Sequence, residues 1–202
     1  HVSICGRFTN KYSLDHYYML QQLLVFIYHH RYQSIVFRRI VSKEYTLTAY
    51  VDADHAADIE DRKSQTGYII FLNGNPVSWK SQKQNHTMLS TNGAEYIAIS
   101  ETCRELRFLR HLLIDLKLVK EKNPPTVIYS DSTGAIQLSR DPVEHKRHKY
   151  IDVRYHFIRE CLRQSEVKLT YIPSKQNIAD LLTKVLPRSV FDALLPMTIN
   201  SK

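Results

Sequence analysis

The sequence predicts an α/β fold: a mixed five-stranded sheet, three antiparallel strands followed by two parallel ones, flanked by helices. Three observations predict it. Residues 47–82 hold three short apolar runs divided by turn residues, and residues 94–116 hold a long run of helical periodicity. Strand and helix patterns alternate from there on, giving the order βββαβαβα.

The first pattern, "SLDHYYMLQQLLVFIYHH" (13–30), carries apolar or aromatic side chains over most of a helical circumference. With Ser13 as candidate N-cap, it predicts a helix that needs a partner. "SIVF" (34–37) and "LTAYVDA" (47–53) predict short strands. "TGYIIFLNGNPVSWKS" (66–81) places an Asn-Gly-Asn turn between apolar runs, the pattern of a hairpin. In "AEYIAISETCRELRFLRHLLIDL" (94–116), Ile97, Ile99, Cys103, Leu106, Leu109, Leu113 and Leu116 recur close to helical spacing. A Pro-Pro break precedes "TVIYSD", a strand ending in Asp131, and then a short helical pattern. "YIDVRYHFIRECLRQ" (150–164) predicts an amphipathic helix, "VKLTYI" (167–172) a strand, and "NIADLLTKVL" (177–186) a closing helix after the break at Pro173.

At 202 residues, 43% hydrophobic and 24% charged, the chain has the size and composition of one well-buried domain with an appendage. Lys and Arg outnumber Asp and Glu by 28 to 20, for a formal charge of +8, which favours a polyanionic partner such as nucleic acid. No apolar run reaches the roughly 18 residues a membrane helix needs. Cys5, Cys103 and Cys161 are too widely spaced for a disulfide framework or a CxxC knuckle, so they are expected to be core thiols without disulfide partners. The opening "HVSICGRFTN" has no signal-peptide pattern and starts as if in mid-fold.

Against this basic background, residues 52–61 collect five acids. Asp58, Glu60 and Asp61 have the look of a solvated loop. Asp52 instead ends the first strand, Glu95 lies near the start of the long helix, Asp131 ends the fourth strand, and Asp180 lies in the last helical pattern. Strand ends and helix termini are where a mixed sheet gathers ligand-binding residues. Carboxylates converging there would repel one another unless cations neutralised them. An all-oxygen ligand set suits Mg²⁺ or Mn²⁺, and two such ions a few Å apart would organise an in-line attack of water on a phosphodiester. Glu95 also stands three residues after Asn92, the spacing of a capping box. His145, His148, His156 and Cys161 lack the ligand spacing of a zinc module.

"YVDADHAAD", "RKSQTGYIIFLNGNPVSWKSQKQ", "LSTNGAEYIAISE", "IYSDSTGAIQL", "HKYIDVRYHFIRE" and "IADLLTKVLP" together resemble the ribonuclease H domain of copia-type LTR-retrotransposon Pol polyproteins. The resemblance implies a ribonuclease H-like fold and metal-dependent cleavage of the RNA strand in RNA–DNA hybrids during reverse transcription. It makes Asp52, Glu95, Asp131 and Asp180 the catalytic acids, holding two Mg²⁺ ions, with Mn²⁺ as an alternative. It also divides the chain into a reverse-transcriptase tail or connection segment (1–45), the ribonuclease H domain (46–192) and a C-terminal tail (193–202). The partners implied are a hybrid and the reverse transcriptase of the same polyprotein, in a cytoplasmic virus-like particle or the nucleus.

Two departures stand at the edge of the site. His55-Ala56-Ala57 replaces the family's usual Trp-Ala-Gly, and Asn92-Gly93 its usual Thr-Glu. Discrimination of RNA calls for short polar groups that reach 2′-hydroxyls, and Ser90, Thr91 and Asn92 stand just ahead of Glu95. Lys80, Lys83, Lys146, Arg147 and Lys149 are expected to neutralise backbone phosphates. Two other classes share these features: a catalytically degenerate module that binds nucleic acid, and a structural connection piece.

Overall fold

The computed structural model describes residues 2–39, 44–58, 60–120, 122–140 and 149–199. Two helices, α1 (Val2–Arg7) and α2 (Leu14–His29), precede the strands β1 (Leu47–Asp54), β2 (Gln65–Leu72) and β3 (Asn75–Lys83). The long helix α3 (Thr91–Asp115) follows, then β4 (Thr126–Ser130), α4 (Thr133–Arg140), α5 (Lys149–Arg163), β5 (Val167–Tyr171) and α6 (Arg188–Ile199). The sheet order is β3-β2-β1-β4-β5, with β1, β2 and β3 antiparallel in succession and β1, β4 and β5 parallel. This is the mixed sheet predicted above, and it puts the carboxyl ends of β1 and β4 side by side.

The strands form where the apolar runs fall. Seven of the eight residues of β2 are buried, because helices and turns cover both faces of the sheet. On one face Val51, Ile70 and Ile128 pack with Ile99, Cys103 and Leu106 of α3 and Ile158 of α5. On the other, Ile69 and Phe71 pack with Ile178 and with Leu194 of α6. The hairpin between β2 and β3 turns through Asn73 and Gly74, both at positive φ, as a tight two-residue turn requires.

Two expectations need correction. "SIVF" forms no strand; the segment runs along the hairpin instead, where the Asn75 side chain accepts from the Arg38 N–H at 2.7 Å and donates to the Arg38 carbonyl at 3.0 Å. The pattern over 177–186 is not an α-helix. It contains a 3₁₀ turn, Ile178–Leu182, and the last helix, α6, begins only at Arg188 and was not predicted. The Asn177 side chain takes the Ala179 N–H at 3.2 Å and its amide is drawn to the Val51 carbonyl at 3.0 Å, so contacts with β1 override local helical spacing. α1 was likewise not predicted; Arg7 at its end clips it to the sheet through Asp58 at 2.7 Å and Gln65 at 2.6 Å.

α2 matches the predicted helix, with Ser13 as N-cap and the His16 ring accepting from the Ser13 N–H at 3.0 Å. None of its residues is buried, and Phe26 meets Phe191 of α6 edge-on at 5.7 Å. Among the described residues no helix is long and apolar enough to cross a membrane. The three cysteines are free thiols, Cys103 and Cys161 both buried.

Candidate active site

Asp52 lies two residues from the end of β1, the central strand, with its side chain 1% exposed. Its partner on β2 is Gly67, and the choice of glycine there is steric. A Cβ at that position would stand 2.6 Å from the Thr183 methyl, 2.9 Å from Leu182 Cβ and 3.1 Å from the Ala179 carbonyl oxygen. The missing side chain lets the 3₁₀ turn lie flat on the sheet beside Asp52. Asp131 follows the end of β4, and because β1 and β4 are parallel the two acids share one sheet edge.

Glu95 reaches that edge from the second turn of α3. Ser90, not Asn92, caps this helix: its hydroxyl accepts from the Gly93 N–H at 3.1 Å. The capping-box expectation for Asn92 and Glu95 therefore fails by two positions, and Glu95 points into the sheet edge instead. One carboxylate oxygen from each of Asp52, Glu95 and Asp131 can be chosen so that all lie within 4.8 Å of one another. Glu95 is 5% exposed, and its Oε2 is buried with no hydrogen-bond partner. Burial, then the charges of Asp52 and Asp131, push its pKa up to about 9, against the opposing Lys184 charge and Ala53 backbone bond.

Asp180 stands outside this group of three and is joined to Asp52 through Lys184. The Lys184 ammonium lies 3.0 Å from Asp180 Oδ1 and 3.1 Å from Asp52 Oδ2. Burial and the charge of Asp52 raise the Asp180 pKa to about 6 even though Lys184 opposes the shift. Burial would lower the Lys184 pKa, but Asp52 and Asp180 outweigh it and raise it. The Thr183 hydroxyl also donates to Asp52 Oδ2, and the Asn177 amide lies 3.3 Å from Asp131 Oδ1. Asn177, Thr183 and Lys184 were not singled out from the sequence. The one signal available was their place in the same "NIADLLTK" block as Asp180.

The polar and basic residues fall in three places. Thr91 and Asn92 begin α3 on its exposed side, and a Cβ on Gly134 would come within 2.5 Å of the Asn92 amide, so Asn92 sits against the start of α4. Lys80 and Lys83 lie on β3 and are already engaged, Lys80 with Glu101 at 3.7 Å and Lys83 with Asp58 at 2.8 Å and Asp61 at 3.0 Å. They line a cleft with His86, Arg104 and Arg154. Lys146 and Arg147 lie outside the described residues, as does the side chain of Lys149, which opens α5.

Asp58 is 8% exposed and is no solvated loop acid. It accepts from Arg7 at 2.7 Å, Lys83 at 2.8 Å and the Glu60 and Asp61 N–H groups at 2.9 and 3.3 Å.

A mixed sheet in this order, with carboxylates at the shared ends of β1 and β4, is the ribonuclease H-like fold. The crystal structure of LC11-RNase H1 in complex with an RNA/DNA hybrid superposes on 68% of this chain and 94% of that one, with a TM-score of 0.51 and 19% identity. By sequence the chain is homologous to copia-type retrotransposon Pol polyproteins. It is 45% identical over 146 residues to the retrovirus-related Pol polyprotein from transposon TNT 1-94 of Nicotiana tabacum, which covers 72% of this chain and 11% of that protein. The Transposon Ty1-ER2 Gag-Pol polyprotein of Saccharomyces cerevisiae is 32% identical over 190 residues, 93% of this chain and 10% of the polyprotein. The chain thus spans about a tenth of the length of these relatives. No protein-family model matches it.

Proposed function

We infer that this chain is a divalent-metal-dependent endonuclease that hydrolyses the RNA strand of an RNA–DNA hybrid, as part of a reverse-transcribing polyprotein. One observation carries the reading: three carboxylates within 4.8 Å, with Glu95 Oε2 buried and unpartnered. Such a set is repulsive as anions and is relieved by a hard cation. The donor atoms are all oxygens, and their charge and spacing fit Mg²⁺ or Mn²⁺. Asp52, Glu95 and Asp131 would hold one ion, and Asp52 and Asp180 a second. When bound, such ions neutralise charge on the phosphate and lower the pKa of a water.

The chain's own part is to aim and to bind. The Ser90 cap fixes the first turn of α3 and so the approach of Glu95, while Gly67 seats the 3₁₀ turn that carries Asp180. In the hydrolysis the water oxygen bonds to phosphorus and the bond from phosphorus to the 3′-oxygen breaks. The 3′-oxygen takes a proton, leaving a 5′-phosphate and a 3′-hydroxyl. Thr91 and Asn92, exposed at the head of α3, would meet 2′-hydroxyls in the minor groove. The basic surplus draws in the hybrid.

The test is an end-labelled hybrid incubated with Mg²⁺ or with EDTA. The RNA strand should be cut only with Mg²⁺, the DNA strand should stay whole, and Asp52→Asn should slow cutting by at least about a thousandfold, ~4 kcal/mol of barrier. A hybrid bound but uncut in Mg²⁺ would leave only a binding module.

A further inference from the structure

The two sides of Asp52 differ. Towards Glu95 and Asp131 no side-chain cation pairs with the carboxylates among the contacts of the described residues, and Glu95 Oε2 is unpartnered. Towards Asp180 the gap is filled, since Lys184 Nζ lies 3.1 Å from Asp52 Oδ2, 3.3 Å from Asp52 Oδ1 and 3.0 Å from Asp180 Oδ1. Lys184 is four residues beyond Asp180, past the end of the 3₁₀ turn, and its side chain is 32% exposed. The ammonium therefore sits between the carboxylates while the stem has an open route to solvent.

We propose that Lys184 is a built-in counter-ion that occupies the place of a divalent cation between Asp52 and Asp180, so that the two metal positions of the site fill unequally. This rests on the metal-dependent reading above. The first ion enters at Asp52, Glu95 and Asp131, where among the described contacts the Lys184 ammonium meets Asp52 alone of the three acids. A second, between Asp52 and Asp180, enters only when the Lys184 ammonium swings out. An ammonium and a divalent cation cannot share two carboxylates at about 3 Å without strong repulsion. Lys184 is thus a positioning residue: it holds Asp52 and Asp180 at a fixed separation before metal arrives and sets the metal concentration at which the site is complete.

The experiment is Mn²⁺ and Mg²⁺ titration by calorimetry on the chain without nucleic acid, for wild type, Lys184→Met, Lys184→Gln and Lys184→Arg. The two neutral forms should bind the weaker ion at least tenfold more tightly than wild type, or show a second site where wild type shows one. Lys184→Arg should behave as wild type. In EDTA the neutral forms should melt earlier, because Asp52 and Asp180 then face each other without a cation. Equal affinities and stoichiometries in all four proteins would overturn the proposal, as would weaker binding by both neutral forms. If ion binding shifts as expected but no variant cuts a hybrid, the nuclease reading falls and the counter-ion stands. If no variant binds either ion, both fall.

Discussion

Two groups of carboxylates, one in the loop that follows β1 and one at the shared ends of β1 and β4, have opposite surroundings. Asp58 and Asp61 are met by Arg7, Lys63 and Lys83 at 2.7 to 3.1 Å, and Asp58 takes two backbone N–H groups as well. Burial works to raise both pKa values, yet the bonds from Lys83, and for Asp61 also Lys63, outweigh it and lower them. Asp52, Glu95 and Asp131 crowd within 4.8 Å, and the pKa of Glu95 moves the other way, up to about 9. The first group is finished: its charges are matched within the fold and it holds α1 and β3 to the loop. In the second, Lys184 and Thr183 meet Asp52 while Glu95 Oε2 has no hydrogen-bond partner, and the proposed metal site rests on that contrast. Acid density along the chain did not tell them apart; compensation did.

The comparison breaks or sharpens most strongly with pH. Glu95 has an ordinary value of 4.5 and a folded value of about 9, so between these the folded chain holds a proton the unfolded chain has lost. Metal-free stability should be full below pH 4.5 in this respect and should fall as pH rises towards 9, by up to ~1.4 kcal/mol per pH unit. Asp58 works in the opposite sense: its folded pKa is lowered, so the stability it adds is present above its ordinary 3.8 and lost in acid below that. Urea unfolding in EDTA from about pH 2.5 to 9 should show decline on both sides of an acidic maximum, and Glu95→Gln should flatten the alkaline side alone.

The next effect is smaller. Asp58→Asn should cost about 2–3 kcal/mol, since Arg7 and Lys83 are left without their shared partner, while the cutting rate of the folded fraction stays within about twofold of wild type. Loss of cutting without loss of stability would make the loop part of the site. The smallest concerns Ala56, held at φ 52 with its N–H given to Ser64 Oγ at 3.2 Å. Glycine removes the left-handed strain but loosens the unfolded chain, so Ala56→Gly should gain less than about 1 kcal/mol, read from the urea midpoint.

The sheet was legible because its strands are continuous apolar runs with turn residues between them, and Asp52 and Asp131 were legible because each terminates such a run. Parallel pairing of β1 and β4 then brings them together without further information. Glu95 was placed in the right helix, but its competing role as a cap was read two residues out of step, since Ser90 and Asn92 are both good caps and only the backbone decides. Residues whose role is long-range were not readable. Gly67 matters through Thr183, Asp58 through Arg7, and Lys184 through Asp52, pairs 116, 51 and 132 residues apart. The 3₁₀ turn is a case of the same kind: its spacing suits a helix, and what prevents one is the grip of Asn177 on β1.

The central claim is that the Asp52, Glu95 and Asp131 edge is an anionic site waiting for a cation. Mg²⁺ titration at pH 7 in two buffers of different ionisation enthalpy tests it most directly, because the difference counts protons released. Glu95 should give up its proton as the ion enters, so the account predicts release of about one proton per ion bound, abolished by Glu95→Gln. Ion uptake with no proton release, or release unchanged in Glu95→Gln, would contradict it.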